Sequence, residues 1–215
     1  MKVSKCEFFK QQVTFLGHII SNSGIQKSPE FIEKIANYPK PSTVTELRQF
    51  LGLANFQRKF IDQFSTIAKP LTSMTGGAKR KQIKWTDEME VSFNTLREKL
   101  AEDLSLAFPD YRADANPLEL YVDASGVGAG SCLIQKQKGE YKPIAYSSMT
   151  FSEAERRYST IERELLALRW GVKNFRYFLF GVHFVIYTDH KPLLYLHNMS
   201  RDNPRLMRTL NDLEE

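Results

Sequence analysis

The first regular pattern along the chain is a short alternation of apolar and polar residues, QVTFLGHIIS over 12–21. It predicts strands on either side of Gly17, closed by a turn at SNSG. The period then lengthens. Ser28-Pro29 puts a capping side chain before a proline that a first helical turn tolerates, and PKP at 39–41 ends that helix. Thr43-x-x-Glu46 reads as a capping box, followed by Leu47, Phe50, Leu51 and Ala54 at helical spacing. After TGGAKRK (75–81), which has the composition of a flexible basic linker, Asp87-x-x-Glu90 opens another helix. Its stripe is Met89, Phe93, Leu96 and Leu100.

FPDYRADANP reads as an exposed connection, and from 118 the pattern changes again. LELYVDAS, GSCLIQ and KPIAYSS are strands separated by a Gly-rich turn and by QKGE; a long helix, the strand HFVIYTD and a helix near 202–215 follow. Hairpin-linked strands followed by a helix and one more strand predict an α/β fold. Its mixed sheet has the helix as the crossover to a parallel strand.

Composition narrows the partners. Residues 1–100 hold 16 Lys/Arg against 9 Asp/Glu, and residues 101–215 hold 14 against 16, so the net +5 is concentrated in the first half. A basic half beside a mildly acidic half suits a polyanion grip attached to a metal-binding site, and it also describes ordinary uneven surface charge. Two cysteines, Cys6 and Cys132, offer neither a metal nor a disulfide spacing. The first ten residues carry four charges, and no run reaches the ~18 apolar residues of a membrane helix. The expectation is an intracellular chain, cytoplasmic or nuclear, with no membrane partner.

The candidate chemistry is acidic. Asp123 ends LELYVD on the face opposite Leu118, Leu120 and Val122, and Asp189 ends HFVIYTD. If the crossover lays these strands side by side, both aspartates reach one edge of the sheet. Between them, Ile161, Leu165, Leu168, Val172, Phe175 and Leu179 form the helix stripe, with Gly181 as its stop. At about 100° per residue Glu164 lies roughly 60° from the stripe's centre and Glu162 roughly 100° away on the other flank. Glu162 is also the acid of a capping box with Ser159, so Glu164 is the better candidate for facing the sheet edge. Three carboxylates from strand, helix and strand suit two Mg²⁺ ions and in-line attack on a phosphodiester; spacing alone equally admits ordinary surface acids.

YVDASGVGAGSCLIQ, KPIAYSS, YSTIERELLALRWGVKNFRYFLFG and FVIYTDHKPLLYL together resemble the ribonuclease H domain of gypsy-type LTR-retrotransposon reverse transcriptases. Upstream, KCEFFKQQVTFLGHIISNSGI resembles the end of their palm, ELRQFLGLANFQRKFIDQFSTIAKPL their thumb, and IKWTDEMEVSFNTLREKL their connecting segment. The resemblance implies an RNase H-like mixed sheet over 116–215, truncated at its C-terminal end. Before it would come the end of the palm (1–27), a small helical thumb (28–75) and a connection (76–115). It carries the catalytic and metal-holding roles to Asp123, Glu164 and Asp189, with two Mg²⁺ ions, or Mn²⁺, as cofactor. The implied reaction is hydrolysis of the RNA strand of an RNA–DNA hybrid, felt through the 2′-OH and the shape of the hybrid. The same resemblance brings Phe15, Leu16, Gly17 and His18 near a primer 3′ end. It also sets Gly52, Asn55, Arg58 and Lys59, together with Gln57, against a template–primer duplex, where a missing Cβ and added donors suit close phosphate contact. Packed phenylalanines beside a solvated basic face would give the same residues.

Two departures bear on activity. The family's Tyr-x-Asp-Asp polymerase hairpin is nowhere in these residues; it and the fingers are expected upstream in a polyprotein. A fourth metal-ligand aspartate is expected after the final helix, and Asp202 and Asp212 fall too early to match it. Two functions therefore stand at this stage. One is an enzyme segment of a reverse transcriptase, active in hybrid cleavage once the downstream end of the domain is supplied. The other is a non-catalytic, nucleic-acid-binding remnant.

Overall fold

A computed structural model describes residues 9–76 and 82–191. The basic stretch 77–81, the KCEF residues at the start and the helix expected near 202–215 lie outside the described residues.

The first strands form as the alternation predicts. β1 (Gln12–Phe15) and β2 (His18–Ser21) pair antiparallel through Leu16 and Gly17, which both take positive φ (49° and 75°). A two-residue turn of that handedness matches the twist of a hairpin, and glycine makes its second position cheap. A third strand, β3 (Gly24–Lys27), follows where only a turn was expected, because its one apolar residue, Ile25, leaves no alternation to read. It is secured by β4 (Ser105–Leu106), 78 residues further along at its nearest. Gly24 sits at φ 128°, where a Cβ would lie 2.1 Å from the Leu106 carbonyl oxygen.

The helical unit packs α1 (Pro29–Ala36), α2 (Val44–Phe56), α3 (Phe64–Ser73) and α4 (Asp87–Ala101) about one core. Ile35, Leu47, Phe50, Phe64, Leu71, Phe93, Leu96 and Leu100 are buried there. The caps at Ser28 and Thr43 form as read, the second as a reciprocal box with Glu46. The cap of α4 is Thr86 rather than Asp87. Thr86 is extended and its hydroxyl accepts from the Met89 N–H, which makes Asp87 the first helical residue and an acid at the positive end of the helix.

The second sheet has the order β7-β6-β5-β8, from β5 (Leu118–Ala124), β6 (Gly128–Gln137), β7 (Glu140–Thr150) and β8 (Phe184–Tyr187). Its one parallel pair is β5 with β8, made by the crossover helix α5 (Thr160–Asn174) and the short α6 (Arg176–Leu179). Ser159 and Glu162 cap α5 as the capping box predicted. Leu118, Leu120, Val122, Leu133, Ala167, Phe175 and Leu179 belong to a core distinct from that of the helices. The join between helical unit and sheet is polar. Arg58 donates to the Ser148 carbonyl at 2.5 Å, and Ser65 bonds both the hydroxyl and the carbonyl of Ser148 at 2.8 and 2.9 Å.

Candidate metal centre and nucleic-acid face

Because β5 and β8 run parallel with Tyr121 opposite Tyr187, Asp123 and Asp189 each stand two residues further along, side by side at one edge of the sheet. The crossover helix supplies the third acid. Gly171 lets α5 lie close to β5 and β6: a Cβ there would sit 3.4 Å from Val122 Cγ2 and 3.5 Å from Ser131 Cβ. Two turns nearer the helix start, this approach brings Glu164 over the sheet edge. One oxygen from each of Asp123, Glu164 and Asp189 lies within 4.8 Å of the others.

The three acids are not equivalent. Asp123 and Asp189 are exposed, whereas Glu164 is 5% exposed and its Oε2 has no hydrogen-bond partner. Burial first, then the charges of Asp189 and Asp123, push the Glu164 carboxyl up to about 7; the Arg163 charge and the Ala124 N–H pull the other way. An orphaned carboxylate oxygen facing two more carboxylates is a site that a hard divalent cation would satisfy, and the all-oxygen donor set fits Mg²⁺ or Mn²⁺. The strand end is fixed locally. The Ser125 hydroxyl accepts from the Val127 and Gly128 N–H groups and donates to the Gly128 carbonyl, closing the turn after Asp123.

Beside the triad lies a cavity of about 470 Å³. Its floor includes Tyr121 and Tyr187, stacked at 4.6 Å and 7°, with Tyr121 donating to Glu119 at 3.0 Å. Glu119, on the face opposite the leucines, is buried where Tyr121 bonds to it. Cys132 also lines the cavity, and burial pushes its thiol up to about 12, which favours the neutral thiol. The opposite wall is Asp62 and Gln63 from the helical unit. Nothing in the sequence pointed to these two: they are 60 residues from Asp123, and their role arises from the docking of one unit on the other.

The residues expected to touch nucleic acid fall into two sets. Phe15 and Leu16 are exposed at the hairpin tip, and a Cβ on either Gly17 or Gly52 would meet nothing within 4 Å. Gly52, Asn55 and exposed Phe56 share one face of α2, and half-buried Lys59 lies just beyond its end in a short 3-10 turn over Arg58–Phe60. His18 and Arg58 are engaged within the chain. His18 is buried, bonded to Gln57 at 2.8 Å and stacked on Phe60, and burial followed by the Lys59 charge holds its pKa below the usual histidine value. This joint bolts the hairpin to the end of α2.

A mixed sheet with three acids gathered at the end of its parallel pair is the frame of a ribonuclease H-like domain. Residues 114–215 match the family described as the RNase H-like domain found in reverse transcriptase. Residues 114–215 belong to that family, and over nearly its full length the chain is similar to Pol polyproteins of gypsy-type LTR retrotransposons. It is 39% identical over 210 residues to the retrovirus-related Pol polyprotein from transposon 297 of Drosophila melanogaster, covering 97% of this chain and 19% of that one. It is 37% identical over 221 residues to the corresponding polyprotein from transposon gypsy of the same organism, covering 97% and 21%. The chain thus spans about a fifth of the length of these relatives. Among solved structures, the foamy viral protease–reverse transcriptase in complex with RNA/DNA hybrid superposes with a TM-score of 0.75 at 29% identity, over 99% of this chain and 29% of that one. Among the described residues no helix is long and apolar enough to cross a membrane.

Proposed function

We propose that this chain is the part of a retrotransposon reverse transcriptase that hydrolyses the RNA strand of RNA–DNA hybrids. On this reading residues 28–75 are the thumb that grips the template–primer duplex, and the rest of the polyprotein supplies polymerisation. The observation that carries the proposal is the meeting of Asp123, Glu164 and Asp189 from three elements, with a buried and unpartnered Glu164 oxygen among them. Asp123, Glu164 and Asp189 would hold two Mg²⁺ ions, or Mn²⁺. The chemistry these supply when bound is Lewis-acid activation of water and of the scissile phosphodiester. The protein's own share is positional. The Ala124 N–H orients the Glu164 carboxylate, the Ser125 turn holds Asp123 at the strand end, and the cost of ionising Glu164 beside two other acids is relieved by a cation. Exposed Phe15, Leu16, Gly52 and Asn55 and half-buried Lys59 offer apolar and phosphate-binding contacts on the side of the hairpin–helix joint.

The test is a substrate panel in Mg²⁺, with the downstream end of the domain supplied: labelled RNA–DNA hybrid, duplex DNA and single-stranded RNA of one sequence. The proposal expects cleavage of the RNA strand of the hybrid alone. Hybrid that binds and stays intact with either metal would instead identify a non-catalytic nucleic-acid-binding remnant.

A further inference from the structure

The turn that follows Asp123 carries two glycines, and they are there for different reasons. Gly128 belongs to the sheet: a Cβ on it would lie 2.3 Å from the Met149 carbonyl oxygen. Gly126 lies outside the left-handed region, so its backbone would accept a side chain. What a Cβ on Gly126 would meet is the guanidinium of Arg163, with Nη1 at 3.3 Å. This glycine leaves room for that arginine.

Arg163 stands on α5 between the capping Glu162 and Glu164 of the triad. Its guanidinium spans two elements. Nη1 donates to the Ser125 carbonyl at 3.3 Å and Nη2 to the Thr160 hydroxyl at 3.4 Å, which ties the turn after Asp123 to the first residue of α5. Among the described residues Arg163 forms no ion pair, although Glu164 is its neighbour in sequence. A guanidinium whose bonds all go to uncharged oxygens acts here through its reach and its planar fork.

The next residue holds the same segment. Glu164 accepts from the Ala124 N–H, so two consecutive residues of α5 grip two consecutive residues after Asp123. The two grips differ in one respect. The Glu164 carboxylate is shared between that amide and any cation the triad takes, whereas the Arg163 fork bonds none of the three acids and holds the turn whether or not a cation is bound.

We propose that Arg163 is a positioning residue of the metal centre: it fixes the turn after Asp123 against the start of α5 and so sets the spacing of Asp123 and Glu164. This rests on the metal-binding reading of the triad. Geometry and charge make opposite demands at this position. A positive charge beside the acids repels a divalent cation, so its removal would tighten binding if charge were all that Arg163 supplied. Loss of the fork would weaken binding instead, as loss of the groups that orient metal ligands does.

The test is calorimetric titration of the 215-residue chain with Mn²⁺ after treatment with chelator and dialysis. Arg163→Met, which keeps much of the length but neither charge nor fork, should bind about tenfold more weakly than wild type. Arg163→Lys, with one donor group in place of the fork, should fall between. Gly126→Ala, which crowds Nη1 and leaves the charge alone, should weaken binding by less than Arg163→Met. In chelator, hydrogen exchange followed by mass spectrometry should be faster across 124–128 in Arg163→Met while the β6–β7 pairing stays protected, which separates a loosened turn from an unfolded domain. Binding as tight as wild type or tighter in Arg163→Met, or in both milder variants should Arg163→Met not fold, would overturn the proposal and leave the metal-binding reading intact. A wild type that takes up no Mn²⁺ at millimolar concentration would remove that reading, and the proposal with it.

Discussion

Replacing Glu164 by glutamine, an isostere without charge, should stabilise the metal-free protein and do so only above a certain pH. The folded chain holds this carboxyl at about 7, against 4.5 for the group in its ordinary state. Between those values the unfolded chain has released the proton and the folded chain has kept it, so stability falls as pH rises from about 4.5 to 7 and levels off above. The ionised folded state at pH 8 thus carries a cost on the order of 3 kcal/mol. Glutamine removes the charge and can still accept from the Ala124 N–H. For a chain of this length, roughly 2–4 °C of Tm accompanies each kcal/mol, so Glu164→Gln should melt up to roughly 6–12 °C higher at pH 8 in the presence of chelator. Near pH 4 the two proteins should melt together. Millimolar Mg²⁺ should raise the wild type and close the gap, since a bound cation relieves the same repulsion among Asp123, Glu164 and Asp189. Thermal melts by circular dichroism at four pH values, with chelator and with Mg²⁺, measure all of this. A variant less stable than wild type at pH 8 in chelator, or a difference that does not change with pH, would mean that the neighbouring acids and burial do not hold the Glu164 proton.

Other expectations follow from single contacts. Gly171→Leu should overpack the α5–sheet contact at Val122 and Ser131, costing about 1–3 kcal/mol in urea unfolding and displacing Glu164 enough to weaken Mn²⁺ binding measured by calorimetry. His18 titrates with the opposite sign to Glu164: its folded pKa is lowered, so its contribution is present above the unfolded value of 6.5 and is lost as pH falls through the folded one. His18→Ala should be less stable at pH 8 and should show a shallower loss of stability on acidification. Lys59→Ala should weaken duplex binding uniformly across sequences and reduce the log–log salt slope by about 1, read by fluorescence anisotropy between 50 and 200 mM salt.

Much of this arrangement is written in local patterns. Thr43 with Glu46 and Ser159 with Glu162 announce helix starts because a cap is made within four residues. The alternation of LELYVD together with a single crossover placed Asp123 beside Asp189, and helical phase alone preferred Glu164 to Glu162. Less legible is whatever depends on distant partners. β3 pairs with β2 and is covered on its other edge by the distant Leu106, whose carbonyl, rather than any local turn rule, requires Gly24. Glu119 sits in a polar phase yet is buried, through a bond to Tyr121 that alternation cannot register. Arg58 has the composition of a phosphate ligand, but its nearest acceptor in the fold is the carbonyl of Ser148, 90 residues away. Asp62 and Gln63 gain their place at the triad only when the two units dock.

The joint action of the three carboxylates on one substrate is open to direct measurement. Single-turnover cleavage of the RNA strand of a hybrid in Mg²⁺ should drop by about 100-fold or more in each of Asp123→Asn, Glu164→Gln and Asp189→Asn, with hybrid binding retained. A wild-type cleavage rate in any one of the three would contradict it.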